Sequence, residues 1–114
     1  MRSLDQITLA PNERAAIAAT GRILRERFPV EQIVLFGSKA RGTDDPESDI
    51  DLLVLTSREL TWKERAALIN ALYRVQLAQD VLLSPLVVSR SEWEAGIFSV
   101  LPLHREIDRD GIPA

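Results

Sequence analysis

The sequence predicts a small α/β domain in which a mixed β-sheet of at least three strands is backed by helices on one face. Three short apolar runs have the length of buried strands, helical periodicity precedes the first and separates the second from the third, and Pro residues and capping signals mark their boundaries. The chain has 114 residues, of which 46% are hydrophobic and 27% charged. This length and composition fit one globular domain with its own core, spanning residues 1–114.

The first half of the chain predicts a helix and two strands after a short lead-in. Residues 1–10 are expected to be loose, Pro11 suits the first turn of a helix, and Pro29 ends that helix. The run Ile-Val-Leu-Phe before Gly37 is typical of a buried strand. In order, we predict a helix, a strand, a loop and a strand over residues 12–28, 30–36, 37–48 and 49–56.

A second helix is predicted from a capping box. Thr61 and Glu64 have the spacing at which each side chain satisfies the other's backbone donor. The helix should run to about residue 79, with Trp62 packed near its start. Its buried side is expected to hold Leu68, Ile69, Leu72 and Val75.

The last third predicts one more strand and two short helices. The apolar run 80–88 is interpreted as the third strand, and Ser91 with Glu94 as a second capping box. Leu103 and Ile107 then share one side of a final helix that ends near Gly111. His104, the only histidine, lies in this charged helix and is not expected to be catalytic.

The stretch LFGSKARGTDDPESDIDLLV, residues 35–54, carries the candidate chemistry. Side chains at i and i+2 of a strand share a face, so Asp49 and Asp51 should point the same way, with Ile50 on the core side. Gly37 lets the backbone approach a phosphate closely, because it has no Cβ. Ser38 adds a hydroxyl, and the amides that follow can form an anion-binding nest.

The other charged residues of this loop can be explained without a role in binding. Arg41 either reaches a phosphate, braces the loop against a carboxylate or is simply solvated, and Lys39 is expected to be solvated. The acidic segment 44–47 is interpreted as a solvated loop rather than a second metal site. A Walker-type loop is excluded, because Gly42 is not followed by Lys and Ser or Thr.

Taken together, G-S-x-x-R-G and S-D-I-D-L at this spacing resemble the signature of the DNA polymerase β-like nucleotidyltransferases. The short chain is similar to the minimal nucleotidyltransferase group of that superfamily. The resemblance implies the polymerase β-like fold and a nucleoside triphosphate, ATP or another, as substrate. It also implies two Mg²⁺ ions held by Asp49 and Asp51, with Gly37, Ser38 and Arg41 binding the nucleotide.

Members of this superfamily generally add a third carboxylate from the next strand. Asp80 heads the predicted third strand and is the acidic candidate, so it completes the predicted catalytic and metal-binding set. Counting back from the end of that strand places Ser84 at the same position instead. The two residues lie about 13 Å apart on an ideal strand, so only one can reach the metals, and the choice stays open.

The minimal group resembles antitoxins of toxin–antitoxin pairs, whose partner is a helical toxin of the HEPN class. The leading hypothesis is therefore transfer of AMP from ATP to such a partner protein. One alternative is a catalytically weak or inactive nucleotide-binding module that neutralises its partner by contact. Another is a small-molecule transferase of the aminoglycoside type, acting as a homo-oligomer whose second subunit completes the site.

Charge and composition bear on nucleic-acid binding, membrane insertion and cellular location. The net charge is −3, and no Lys/Arg cluster is interleaved with aromatic residues, so direct nucleic-acid binding is not expected. No stretch approaches the ~20 apolar residues of a membrane span. The chain has no cysteine and its first residues do not resemble a signal peptide, so we expect a cytoplasmic protein.

Overall fold

A computed structural model describes residues 2–43 and 48–114. The acidic segment 44–47, which we predict to be solvated, lies outside the described residues. The principal elements are α1 (Pro11–Arg27), β1 (Val30–Phe36), α2 (Ser38–Arg41), β2 (Ile50–Thr56), α3 (Trp62–Gln79), β3 (Leu83–Ser89), α4 (Arg90–Ala95), α5 (Pro102–Asp110) and β4 (Ile112–Pro113). Short 3-10 turns lie at Leu4–Gln6 and Ile97–Val100.

The strands of the described chain form one mixed sheet in the order β3-β2-β1-β4. β2 pairs with β3 in parallel, and β1 pairs with β2 and β4 in antiparallel. The predicted mixed sheet is thus confirmed. The two-residue strand β4 was not predicted, because Ile112 and Pro113 carry no strand pattern of their own and pair with β1 only after the chain has folded.

The sheet has helices on both faces, whereas the sequence predicted them on one. Helices α1 and α3 cover the first face, over a core that includes Ile33, Leu35, Ile50, Leu52 and Val54. On the second face, Trp93 from α4 and Ile107 from α5 pack on a smaller cluster with Val34, Leu53, Leu55 and Val88. The helices that cover this second face are short, so their apolar pattern gave little indication that they fold back onto the sheet.

Helix α3 ends at Gln79, as predicted, but the third strand begins three residues later than the predicted start at Asp80. Asp80 does not begin a strand: it is the residue that ends α3, with φ of 54° and ψ of 51°. Asp is one of the few residues that tolerate this left-handed conformation. The third strand starts at Leu83, so the apolar residues before it belong to the connection and not to the strand.

The outer side of α3 also differs from the prediction. Leu68, Leu72 and Val75 are buried as expected, but Ile69 is 43% and Trp62 77% exposed. Ile69 directly follows Leu68, which turns its side chain about 100° around the helix axis, away from the buried face and toward solvent. The predicted burial of these two side chains is therefore wrong.

Two local predictions at the ends of the chain need correction. Helix α4 is capped by Ser89, whose hydroxyl accepts a hydrogen bond from the backbone N–H of Glu92 at 3.3 Å, and not by Ser91. Both serines precede an acidic residue by three positions, so the sequence does not separate them. In the lead-in, Leu4, Ile7 and Leu9 pack against the main core, so this segment is more ordered than expected.

None of the helices in the described part of the chain combines the length and apolar character that a membrane crossing requires.

Candidate active site

The glycine-serine bend and the second aspartate of the motif meet at one end of the sheet. Phe36, the last residue of β1, pairs with Asp51 of β2 in the antiparallel register. Gly37 follows with φ of 78° and ψ of −157°, a backbone conformation open almost only to glycine. A Cβ placed on Gly37 would lie 2.2 Å from Oδ2 of Asp51. The bend and the carboxylate are therefore in direct contact, and no side chain fits between them.

A single helical turn follows the bend, where the sequence predicted an irregular loop. Helix α2 spans Ser38–Arg41, and the backbone N–H of Arg41 donates to the carbonyl of Gly37 at 3.1 Å. Gly42, with φ of 75°, ends the turn. Such a short turn has no apolar periodicity, which explains why sequence patterns did not reveal it.

Lys39 is buried, and the prediction that it is solvated is wrong. Its side chain is 1% exposed, and its ammonium forms an ion pair with Glu13 of α1. The other carboxylate oxygen of Glu13 accepts the backbone N–H of Ala10 at 2.8 Å. The pair therefore ties the turn that carries Ser38 and Arg41 to the start of α1. No signal in the sequence links Lys39 to an acid 26 positions earlier.

Asp51 lies in an environment that disfavours its negative charge. Burial raises the pKa of its carboxyl above the ordinary value, the nearby carboxylate of Asp49 raises it further, and the guanidinium of Arg41 lowers it. Asp49, Asp51 and Arg41 are thus close enough to interact electrostatically. A cation bound between the two carboxylates would relieve both the burial cost and the repulsion. The donor set also fits Mg²⁺, which prefers carboxylate oxygens supplemented by phosphates and waters.

The register between β2 and β3 brings Ser84 next to Asp51. These two residues are paired across the parallel strands. Because Leu53 of the same strand lies in the cluster on the second sheet face, Asp51 and Ser84 also point to that face. Ser84 is half-buried there. The residue paired with Asp51 on the third strand therefore carries a hydroxyl and no carboxylate.

Asp80 does not join the two aspartates of the motif in one metal-holding group. It lines a cavity of about 500 Å³ together with Ser48 and Ile50. Ile50 belongs to the core on the first face of the sheet, opposite to Asp51. Across residues 2–43 and 48–114, no three His, Cys, Asp or Glu side chains are grouped closely enough to hold a metal. The structure thus brings Gly37, Ser38, Arg41, Asp49 and Asp51 together and leaves Asp80 outside this group. The role of Asp80 as a metal ligand stays a prediction, and its position argues against that role.

Comparison with known proteins identifies the family. The family model described as "Nucleotidyltransferase domain" matches residues 18–102, three quarters of the chain, including both motifs. The chain belongs to the nucleotidyltransferase domain family. The matched part of this nucleotidyltransferase includes the Gly37-Ser38 bend, Asp49, Asp51 and Ser84.

The relatives of this nucleotidyltransferase agree with that assignment. It is 38% identical over 69 residues, 60% of this chain and 68% of the relative, to "Putative protein adenylyltransferase MJ0141" of Methanocaldococcus jannaschii. A solved structure described as a "putative minimal nucleotidyltransferase" is 26% identical with a TM-score of 0.60, over 90% of this chain and 92% of that one. The predicted polymerase β-like fold of a minimal nucleotidyltransferase is confirmed.

A further solved structure has the same fold at lower identity. It is a crystal structure of a toxin–antitoxin complex with AMP-PNP, 23% identical with a TM-score of 0.57, over 91% of this chain and 72% of that one. At this level of identity the likeness extends to the fold alone.

Proposed function

We propose that this nucleotidyltransferase transfers AMP from ATP to a partner protein in a Mg²⁺-dependent reaction. The observation that carries the proposal is the contact between the Gly37 backbone and the Asp51 carboxylate. It brings the Gly37 bend, which is suited to a phosphate, beside the Asp51 carboxylate, which is suited to a metal ion. Asp49 adds a second carboxylate whose charge acts on Asp51.

Each residue of this site has a proposed role. Asp49 and Asp51 would hold two Mg²⁺ ions, which neutralise the charge on the attacking and leaving oxygens of the phosphoryl group. Gly37 leaves room for the triphosphate, and the hydroxyl of Ser38 donates to a phosphate oxygen. Arg41, exposed beside the two aspartates, supplies a positive charge to the leaving pyrophosphate.

The residue at the third position limits the rate in this proposal. The hydroxyl of Ser84 can orient an acceptor oxygen by a hydrogen bond, but at neutral pH it does not take up the acceptor's proton. We therefore expect nucleotide binding of ordinary strength and slow transfer. Slow transfer is sufficient for an enzyme whose acceptor stays bound, since proximity replaces diffusion.

Two features support a protein acceptor. A relative that is 38% identical over 69 residues carries the name protein adenylyltransferase, and a structure of the same fold is a toxin–antitoxin complex with AMP-PNP. A helical toxin of the HEPN class is the partner that the sequence resemblance favours.

One alternative keeps nucleotide binding and omits the reaction. Because Ser84 stands where a third carboxylate is expected, the chain can act as an antitoxin that neutralises its partner by contact. The remaining alternative, a small-molecule transferase of the aminoglycoside type, needs a second subunit to complete the acceptor site.

A label-transfer assay separates these functions. The chain is incubated with ATP labelled in the α-phosphate, Mg²⁺ and the protein encoded beside it. We expect label on the partner with the wild type and none with Asp51→Asn. Absence of label with both proteins would exclude transfer. If the partner is still neutralised by the variant Asp49→Asn with Asp51→Asn, the function is neutralisation by contact. Label on an aminoglycoside instead of the protein would support the small-molecule reaction.

A further inference from the structure

An apolar stripe runs along the solvent side of α3. It consists of Trp62, Ala66, Ile69, Tyr73 and Leu77, which follow one another at spacings of three or four residues and so share one helix face. Trp62, Tyr73 and Leu77 are 77%, 54% and 67% exposed. Single exposed apolar residues are ordinary, but several in line on one helix face indicate a surface that packs against another element.

Basic side chains flank the stripe on both edges. On a helical wheel, Lys63 and Arg74 lie along one edge, about 16 Å apart along the axis, and Arg65 lies on the other edge. Arg65 donates to the carbonyl of Val87 while remaining exposed. Within the described ranges, none of the three forms an ion pair with an acid. The only acid inside α3, Glu64, points to a different side and is bound by Arg58.

We propose that the α3 stripe docks an amphipathic helix of a partner protein, one whose own apolar stripe is flanked by Glu and Asp. The apolar side chains of the α3 stripe extend over about four helical turns and can pack against the partner's stripe, and the basic edges complement acidic ones. The proposal deepens the proposed function, because the docked partner is the proposed acceptor. The docking surface itself depends on no residue of the nucleotide site.

Charge argues against a second copy of this chain as the occupant. In an antiparallel pair related by a twofold axis, each edge of one helix lies beside the same edge of the other. Lys63 and Arg74 would then face their own counterparts. In a parallel pair they would face Arg65, so both arrangements bring like charges together.

Composition argues against a nucleic acid. Ile69 and Leu77 are aliphatic and offer no flat face for a base to stack on, whereas a helical partner buries them well. The net charge of the chain is −3, which opposes general attraction to a phosphate backbone.

Two synthetic peptides provide the probe. Both form amphipathic helices of about 18 residues, to match α3, with the same leucine and isoleucine stripe. One carries Glu on its flanks and the other Lys. Measured by fluorescence anisotropy, the acidic peptide should bind the wild type at least about tenfold more tightly than the basic one. Tyr73→Asp should weaken that binding at least about tenfold, because it places a charge in the centre of the α3 stripe.

A charge reversal gives the decisive variant. In Lys63→Glu with Arg74→Glu, the preference should change to the basic peptide. The matched control is Val100→Asp, which alters an exposed apolar residue outside α3, 79% exposed on the 3-10 turn, and should leave binding unchanged. ATP binding is measured on every variant and should stay at the wild-type value, so failure of the docking surface and failure of the nucleotide site are told apart.

Several results would overturn the docking proposal. Equal binding of the two peptides, or no binding of either, would show that the flanking charges select nothing. A dimer in sedimentation velocity that Tyr73→Asp dissociates would assign the stripe to a second copy. Binding of a uridine-rich single-stranded RNA that Tyr73→Asp abolishes would assign it to nucleic acid.

Discussion

The backbone of Gly37 lies against the carboxylate of Asp51, so closely that a Cβ on Gly37 would fall 2.2 Å from Oδ2 of Asp51. This contact brings the two halves of the sequence motif together across the β1–β2 pair. The first prediction concerns it directly.

Gly37→Ala should weaken ATP binding at least about tenfold, because the new methyl group displaces the Asp51 carboxylate and strains the backbone by about 1–3 kcal/mol. The matched control is Gly42→Ala. Gly42 also has positive φ, 75°, but its Cβ would meet nothing within 4 Å. It should lose stability and keep ATP binding, measured by thermal unfolding and calorimetric titration. Equal loss of binding in both variants would show that the contact with Asp51 is not what matters.

Ser84→Asp should restore a third carboxylate beside Asp51. We expect transfer to rise about tenfold or more, because a carboxylate can take up the acceptor's proton. Without Mg²⁺ the same variant should melt at a lower temperature than the wild type, since three acids repel one another, and Mg²⁺ should reverse this. Asp80→Asn serves as the comparison and should leave transfer unchanged. Loss of transfer in Asp80→Asn would instead assign the third position to Asp80.

Lys39→Met should destabilise the fold by about 3 kcal/mol, because it leaves the partly buried carboxylate of Glu13 without its partner. Arg90→Met is the control. Arg90 also bonds two acids, Glu31 and Glu94, but lies at the surface, so its loss should cost about 1 kcal/mol or less. Urea denaturation measures both. Similar costs for the two variants would mean that the Lys39–Glu13 pair does not brace the bend.

Glu64 links stability to pH at the start of α3. The guanidinium of Arg58, and then the backbone N–H of Thr61, lower the pKa of its carboxyl from 4.5 to about 2. Its charged form is therefore favoured in the folded state. The contribution is complete above pH 4.5 and disappears as the pH falls toward 2. The free energy of unfolding of the wild type should exceed that of Glu64→Gln at pH 6, with the gap closing at pH 2 to 3. A gap independent of pH would rule out this linkage.

The sequence was sufficient for the parts of the site that are local. Gly37 and Ser38 follow an unambiguous strand, and the alternation of strand side chains places Asp51 opposite to the core residues Ile50 and Leu52. The fold class followed from the same strands and helices. These inferences depend only on residues near one another in the chain.

The remaining parts depend on contacts between distant segments. The apolar run after Asp80 fits the end of a helix as well as the start of a strand, and only pairing with β2 fixes Ser84 beside Asp51. Likewise, Lys39 resembles any loop lysine until α1 brings Glu13 to it. The exposure of Trp62 follows from the orientation of α3 on the sheet, which its capping box does not determine.

The central claim is that Asp49 and Asp51, with the bend at Gly37, form one site for Mg²⁺ and a nucleoside triphosphate. Calorimetric titration of ATP with and without Mg²⁺ tests it most directly. The wild type should bind ATP at least about tenfold more tightly with Mg²⁺, and Asp49→Asn with Asp51→Asn should abolish that gain, since no carboxylate remains to hold the ions. Equal ATP binding by the wild type and the double variant, or no Mg²⁺-dependent binding of ATP, GTP, CTP or UTP, would contradict the account.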